Sequence, residues 1–143
     1  MVMKYIGFLL KHSSARSLFL DAGINDIELA YDLHDKGYKG KYFGVDSDFK
    51  KLKRIKNLNR DLKFAKHFKM AVEKMNFKDC YFDFVLVKNL IEHRQYYSKS
   101  LIELARVTGK FLILEMEIKP LLFLPDKISK DKDGIYSNRY NLQ

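Results

Sequence analysis

The stretch from Ser17 to Asp48, SLFLDAGINDIELAYDLHDKGYKGKYFGVDSD, constrains the fold more than any other part of the chain. An apolar run, Leu18-Phe19-Leu20, stops at Asp21-Ala22-Gly23. Ile24, Ile27, Ala30, Tyr31 and Leu33 then recur at helical spacing until Gly37, and a second β-rich run, Tyr42-Phe43-Gly44-Val45, ends on Asp46. Strand, tight turn, helix and strand, with acids at both strand ends, are the parts of a βαβ unit that holds an adenosine-containing cofactor. A glycine just past the first strand lets the backbone approach a ligand that a Cβ would push away, and the following helix turns its free N–H groups toward the same place. Asp46, at the tip of the second strand, is placed to accept hydrogen bonds from both ribose hydroxyls. The plainer alternative is a βαβ pair in which Gly23 only makes the turn and Asp46 caps the next helix.

The flanking segments extend this pattern. Val2, Tyr5, Ile6, Leu9 and Leu10 predict a leading helix within 1–16 that packs on the sheet or closes over the cofactor. Asn25 or Asp26 can cap the next helix, Gly37 ends it and Gly40 opens the second strand. Ser47 and Asp48 can cap a helix through Leu52, Ile55 and Leu58, followed by a short third strand at Leu62 to Phe64. Met70 to Phe77 is poorly periodic and reads as a loop with a short helix. Tyr81-Phe82-Asp83-Phe84-Val85-Leu86-Val87 is nearly all apolar, the pattern of a parallel strand covered on both faces. Leu90, Tyr97, Leu101, Ile102, Leu104 and Ala105 place a stripe on one long helix that ends at Thr108-Gly109, and Phe111 to Met116 is a fifth strand. Asp133-Gly134, between Ile128 and Ile135-Tyr136, predicts an antiparallel hairpin. The fold class is therefore α/β, a Rossmann-like three-layer sandwich with a mostly parallel sheet and a C-terminal antiparallel hairpin, read as a single domain over 1–143.

Composition narrows the function classes. The longest apolar run, Leu121 to Leu124, is too short to span a bilayer, and the start of the chain lacks a signal peptide's core, so a soluble, cytoplasmic protein with no membrane partner is expected. One cysteine, Cys80, cannot form an internal disulfide, and His12, His34, His67 and His93 have no metal-site spacing, so no metal is expected. Charge is uneven: of a formal net +9, the window Lys50 to Lys69 carries nine Lys/Arg against Asp61 alone. Such a window is either a solvated helix face or an attractor of nucleic acid, anionic membrane or acidic ligands. Leu121 to Leu124, near the end of a small open sheet, makes a homodimer the expected assembly.

These residues resemble one family, the class I S-adenosylmethionine-dependent methyltransferases of the small-molecule type. Phe19-Leu20-Asp21-Ala22-Gly23 is similar to its first motif and Phe43-Gly44-Val45-Asp46 to its second strand. Glu73 to Phe77, Phe82 to Val87 and Ile91-Glu92-His93 resemble its loop, fourth strand and following helix start, and Leu101 to Leu114 its next helix, glycine turn and fifth strand. The resemblance implies S-adenosyl-L-methionine as cofactor. Asp21, Ala22 and Gly23 would lie at the methionine end, Asp46 at the ribose, Ser47 at the adenine edge, and Val72 at the adenine face. Lys88 and Asn89 would border the methionine and the incoming acceptor. Where the family carries two further glycines, this chain has Asn25, which tolerates a positive φ and can keep the turn, and Ile27, which cannot. Where an acid commonly faces the adenine amino group, it has Ala71, with Glu73 two residues on.

Methyl transfer needs positioning more than acid or base, so no triad is expected; Glu92 and His93 are the candidates if a hydroxyl acceptor needs a base. The tip Val87-Lys88-Asn89-Leu90 lacks the Asp/Asn-Pro-Pro-aromatic element that grips a planar amine. Four functions stay open: a methyltransferase of unidentified acceptor, an inactive methyltransferase-like binding or scaffold protein, a dinucleotide oxidoreductase, and a basic nucleic-acid binder. The third has Asp46 in its favour but lacks two of the three glycines that cradle a pyrophosphate.

Overall fold

β1 (Leu18–Ala22), β2 (Lys41–Asp46), β3 (Ala65–Lys69), β4 (Phe82–Lys88) and β5 (Thr108–Glu115) form one sheet in the order β3-β2-β1-β4-β5, every neighbouring pair parallel. The structure, a computed structural model, describes residues 4–25, 28–93, 97–116, 127–130, 132 and 136–139. Among the described residues four α-helices accompany the sheet: α1 (Lys4–His12), α2 (Leu29–Asp35), α3 (Phe49–Leu58) and α4 (Tyr97–Val107). The expected Rossmann-like three-layer sandwich is the observed architecture.

Strand alternation builds two cores from one sheet. Phe19, Tyr42, Phe84 and Leu86 face α1 and α2, where they bury Ile6, Leu9, Leu29, Ala30 and Leu33. Leu20, Ala22, Phe43, Val45, Val85 and Val87 face the other way, onto Leu104 and Val107 of α4. Except for half-buried Asp83, every residue of β4 is buried, as expected of a strand covered on both sides. The β4–β5 register shifts between Phe82 and Phe84, and Phe82 joins the α4 side while Phe84 joins the other. Asp83, at the start of β4, accepts the Leu18 N–H at 2.9 Å and the Lys110 ammonium at 2.7 Å, bracing three strands at the end of the sheet opposite their C-terminal tips. Burial pushes its carboxyl up, but these hydrogen bonds outweigh that and hold it below the usual range.

Helix ends follow local chemistry. Asp48 caps α3, its Oδ1 accepting the Lys50 and Lys51 N–H groups at 2.8 and 3.2 Å. Gly37, at φ +87°, ends α2 in a Schellman turn: its N–H reaches the His34 carbonyl and the Tyr38 N–H reaches that of Leu33.

The structure moves several expected boundaries. The third strand is Ala65–Lys69 rather than Leu62 to Phe64; Leu62 is buried in a turn whose N–H bonds the Asn59 carbonyl. Ile24 lies in the loop before α2, wholly buried against Leu52 and Ile55 of α3, while Asp26 and Ile27 lie outside the described residues. Met70 to Phe77 holds no helix; Ala71 and Lys74 bridge across a tight turn. After β4 comes a single 3₁₀ turn, Ile91–His93, and the buried face of α4 is Ser100, Leu104 and Val107, with Ile102 71% exposed and Ala105 exposed as well. β6 (Lys127–Lys130) and β7 (Tyr136–Arg139) pair antiparallel as the expected hairpin, its turn Asp133-Gly134 and the apolar Leu121 to Leu124 lying outside the described residues. Among the described residues no helix is long and apolar enough to cross a membrane.

Candidate functional site

The strand order dictates where a ligand can sit. From β1 the chain runs outward through β2 to β3, then returns to the other side of β1 with β4 and β5, so the crossovers diverge between β1 and β4. At such a switch point the loops after the strand tips part and leave a crevice at the C-terminal edge of the sheet. A cavity of about 160 Å³ lies there, and its lining comes from every tip around the switch: Gly23 and Asn25 after β1, Asp46 and Ser47 after β2, Val72 after β3, Lys88, Asn89 and Leu90 after β4, with Lys51 from α3.

Backbone conformation supports the cavity. Gly23 has φ +72°, and a Cβ there would come within 3.0 Å of the Leu90 side chain, across the cleft. Its N–H bonds the Val45 carbonyl at 2.9 Å, tying the first turn to the second strand. Asn89 also adopts the left-handed region, at φ +47°, with its N–H held by the Glu115 carbonyl. Non-glycine residues in this region carry local strain that functional sites often retain, and Asn tolerates it better than most.

The acid at the tip of β2 is the most constrained group in the cleft. Asp46 is 8% exposed; its Oδ1 accepts the Asp48 N–H at 2.9 Å and its Oδ2 the Lys51 ammonium at 2.8 Å. A carboxylate offers about four acceptor positions, so these bonds leave room for a pair of hydroxyl donors. At the opposite wall Lys88, 9% exposed, places its Nζ 5.8 Å over the Tyr5 ring, which brings the N-terminal turn of α1 against the tip of β4. Val72, 2% exposed, supplies an apolar wall.

Of the residues expected to bind a cofactor, Gly23, Asn25, Asp46, Ser47, Val72, Lys88 and Asn89 meet in this cavity. Asp21 and Ala22 do not line it. Strand alternation turns Asp21 toward Tyr42, whose hydroxyl donates to Oδ2 at 2.7 Å, and Ala22 into the α4-side core. Glu73 accepts the Ser100 hydroxyl at 3.1 Å, which holds it toward α4, and Ala71 is exposed. His93 is exposed on the 3₁₀ turn and outside the cavity lining, and Glu92 lies on the same turn. Two lining residues went unanticipated. Lys51 had a legible signal: three residues after the cap Asp48, in the first turn of α3, it can reach back to Asp46. Leu90 had only its place after the tip of β4.

Comparison with known proteins agrees with this geometry. A family model described as a methyltransferase domain matches residues 20–112. No curated protein matches the chain in sequence. Among solved structures, YcgJ from Bacillus subtilis is 19% identical with a TM-score of 0.65, over 81% of this chain and 51% of its own. The 1,6-didemethyltoxoflavin-N1-methyltransferase of Burkholderia thailandensis, solved with 1,6-didemethyltoxoflavin and S-adenosylhomocysteine, is 12% identical with a TM-score of 0.75, over 95% of this chain and 59% of its own. A SAM-dependent methyltransferase from Aquifex aeolicus is 16% identical with a TM-score of 0.60, over 93% and 88%. The chain thus spans little more than half the length of the first two.

Proposed function

The chain belongs to the methyltransferase domain family, with the class I S-adenosylmethionine-dependent fold, and on that premise we propose that it binds S-adenosyl-L-methionine in the switch-point cleft and transfers its methyl group to an acceptor. The observation that carries this reading is the convergence of Gly23, Asp46, Val72 and Asn89, from four separate strand tips, on one cavity.

The residues fit the cofactor. Gly23 leaves open, by its missing Cβ and its positive φ, the space between the first turn and Leu90. Asp46 retains acceptor positions for the two ribose hydroxyls, Ser47 borders the adenine edge, and Val72 gives the adenine an apolar wall. Lys88 and Asn89 stand where the methionine end meets the acceptor.

When bound, the cofactor supplies a methyl group on a sulfonium, already activated for in-line displacement. The chain's own contribution is then positioning, which in well-oriented reactions is worth on the order of 7–11 kcal/mol. Asp46 fixes one end of the bound molecule through its ribose, Leu90 and Val72 exclude water around it, and Asn89, held by the Glu115 carbonyl, keeps the acceptor side of the cleft in place. No side chain in the lining is placed as an obligatory base. On the same reading the protein works in the cytoplasm, to which its single exposed cysteine, Cys80, is suited.

A second reading, a methyltransferase-like protein that binds without turnover, is favoured by the Lys51 ammonium, which already occupies part of Asp46. Incubation with S-adenosylmethionine carrying a tritiated methyl group, against fractionated small-molecule and RNA extracts, separates the two. Label moving into an acceptor with wild-type protein, and not with Asp46→Ala, is the result expected of the enzyme. Cofactor binding without label in any fraction selects the second reading.

A further inference from the structure

The basic window is not spread around the molecule. Lys50, Lys53, Arg54, Asn57 and Leu58 recur at i, i+3, i+4, i+7 and i+8, so they share one face of α3, opposite the buried Leu52 and Ile55, and they border an open groove of about 400 Å³. β3 lies beside α3 at the sheet's outer edge and adds exposed Lys69 on the face toward α3. Within the window only Lys51, with Asp46, and Arg60, with Asp61, form ion pairs among the described residues. The other cations of the window are exposed and form no ion pair among the described residues.

An aromatic ring stands within this field. Phe49, at the first turn of α3, is 63% exposed, and the Lys69 ammonium lies 5.8 Å from its ring centroid. A bare phenyl ring flanked by ammonium groups offers what a single strand of nucleic acid requires: cations for the phosphates and a flat face for a base. An anionic membrane surface asks for a continuous apolar face to insert. Here the apolar face of α3 is spent on the core, and the solvent side exposes only Phe49 and Leu58, at opposite ends of the helix.

We propose that α3 and the β3 edge form a binding surface for single-stranded nucleic acid, with Lys50, Lys53, Arg54 and Lys69 on its phosphates and Phe49 stacked on a base. The ten residues of α3 extend about 15 Å, enough for two to three phosphates, and β3 continues the track. This surface stands apart from the methyl-transfer reading, and its test needs no cofactor.

Fluorescence anisotropy with 5′-labelled 20-nucleotide oligouridylate and oligothymidylate measures it directly. With about four phosphates contacted, log affinity falls against log salt with a slope near −2.8, roughly a fiftyfold loss between 50 and 200 mM salt. The pair Lys53→Glu and Arg54→Glu weakens binding at least tenfold. Phe49→Ala weakens it about tenfold with the salt slope unchanged, since stacking releases no counterions. All three positions are exposed; circular dichroism melts confirm that each variant folds, and Phe49→Ala, which alters no charge, tests the surface even if the charge reversals unfold the chain. Both RNA and DNA arms, or either alone, support the proposal. No binding at 100 μM protein in 50 mM salt, binding indifferent to these substitutions, or capture by phosphatidylserine vesicles without capture of either oligonucleotide overturns it.

Discussion

Two buried polar residues on neighbouring strands, Asp46 and His67, show how the same sheet treats its charged groups differently. Asp46 is met at the strand tip by the Asp48 N–H and the Lys51 ammonium. His67, inside β3, has the Asn59 side chain 3.3 Å from its Nε2 and the Tyr42 ring beside it. Burial, reinforced by the positive charge of Lys56, pushes its imidazole down to about 4. The unfolded chain, with a histidine near 6.5, therefore takes up this proton first as the pH drops. Stability from a neutral His67 is complete above about pH 6.5 and is lost as the pH falls toward 4, by roughly 3 kcal/mol at most. Urea unfolding at pH 7 and pH 4.5 reads this as a fall in midpoint, and His67→Gln flattens the dependence over that window. An equally steep fall in the variant assigns it to other groups.

At the scale of elements, the loop that presents Val72 to the cleft is held from α4 by Ser100 on Glu73, by Glu103 on the Met75 N–H and, with the most bonds, by Arg106. The Arg106 guanidinium bonds both oxygens of Glu103, the Asp79 carboxylate, and the carbonyls of Met75 and Phe77, at 2.7 to 3.0 Å. These bonds hold the Glu103 carboxyl below its ordinary range, against the opposing effect of burial and with help from the Met75 N–H. Arg106→Met leaves those carbonyls and Glu103 without their donor and lowers stability by about 1–3 kcal/mol. Lys does not restore it, because a point ammonium cannot span five acceptor atoms. Hydrogen exchange of the amides from 75 to 80 accelerates more than that of β4; uniform acceleration across the molecule contradicts a local brace. The same elements explain what could be read from sequence. β1, β2 and β4 were legible because apolar runs ending on acid or polar tips have few other uses. β3, with the sequence Ala-Lys-His-Phe-Lys, was displaced by three residues, since an edge strand carries lysines that mask its period. The face of α4 was misread because Ser100, satisfied by Glu73, counts as core although it is polar. In the cleft, tips betray themselves by glycine and acid, which made Gly23 and Asp46 legible. Asp21 shares that pattern yet turns to Tyr42, because side-chain direction is set by strand parity.

Across the whole molecule, two chemistries are set side by side by the topology. The C-terminal edge of the sheet gathers a cleft suited to a nucleoside-bearing cofactor, while the outer edge, β3 with α3, presents the positive field. α3 belongs to both: its capped first turn delivers Lys51 to Asp46, and its solvent face carries the lysines and arginine of the groove. The central claim concerns the cleft, and calorimetric titration with S-adenosylmethionine and S-adenosylhomocysteine tests it most directly. Wild-type protein is predicted to bind with a dissociation constant in the micromolar range. Asp46→Ala, checked by a cooperative melt, should bind at least tenfold more weakly, as expected for losing charged hydrogen bonds worth roughly 1.5–3 kcal/mol each. Absence of binding by folded wild-type protein at millimolar ligand, or undiminished binding by Asp46→Ala, contradicts the assignment of the cleft.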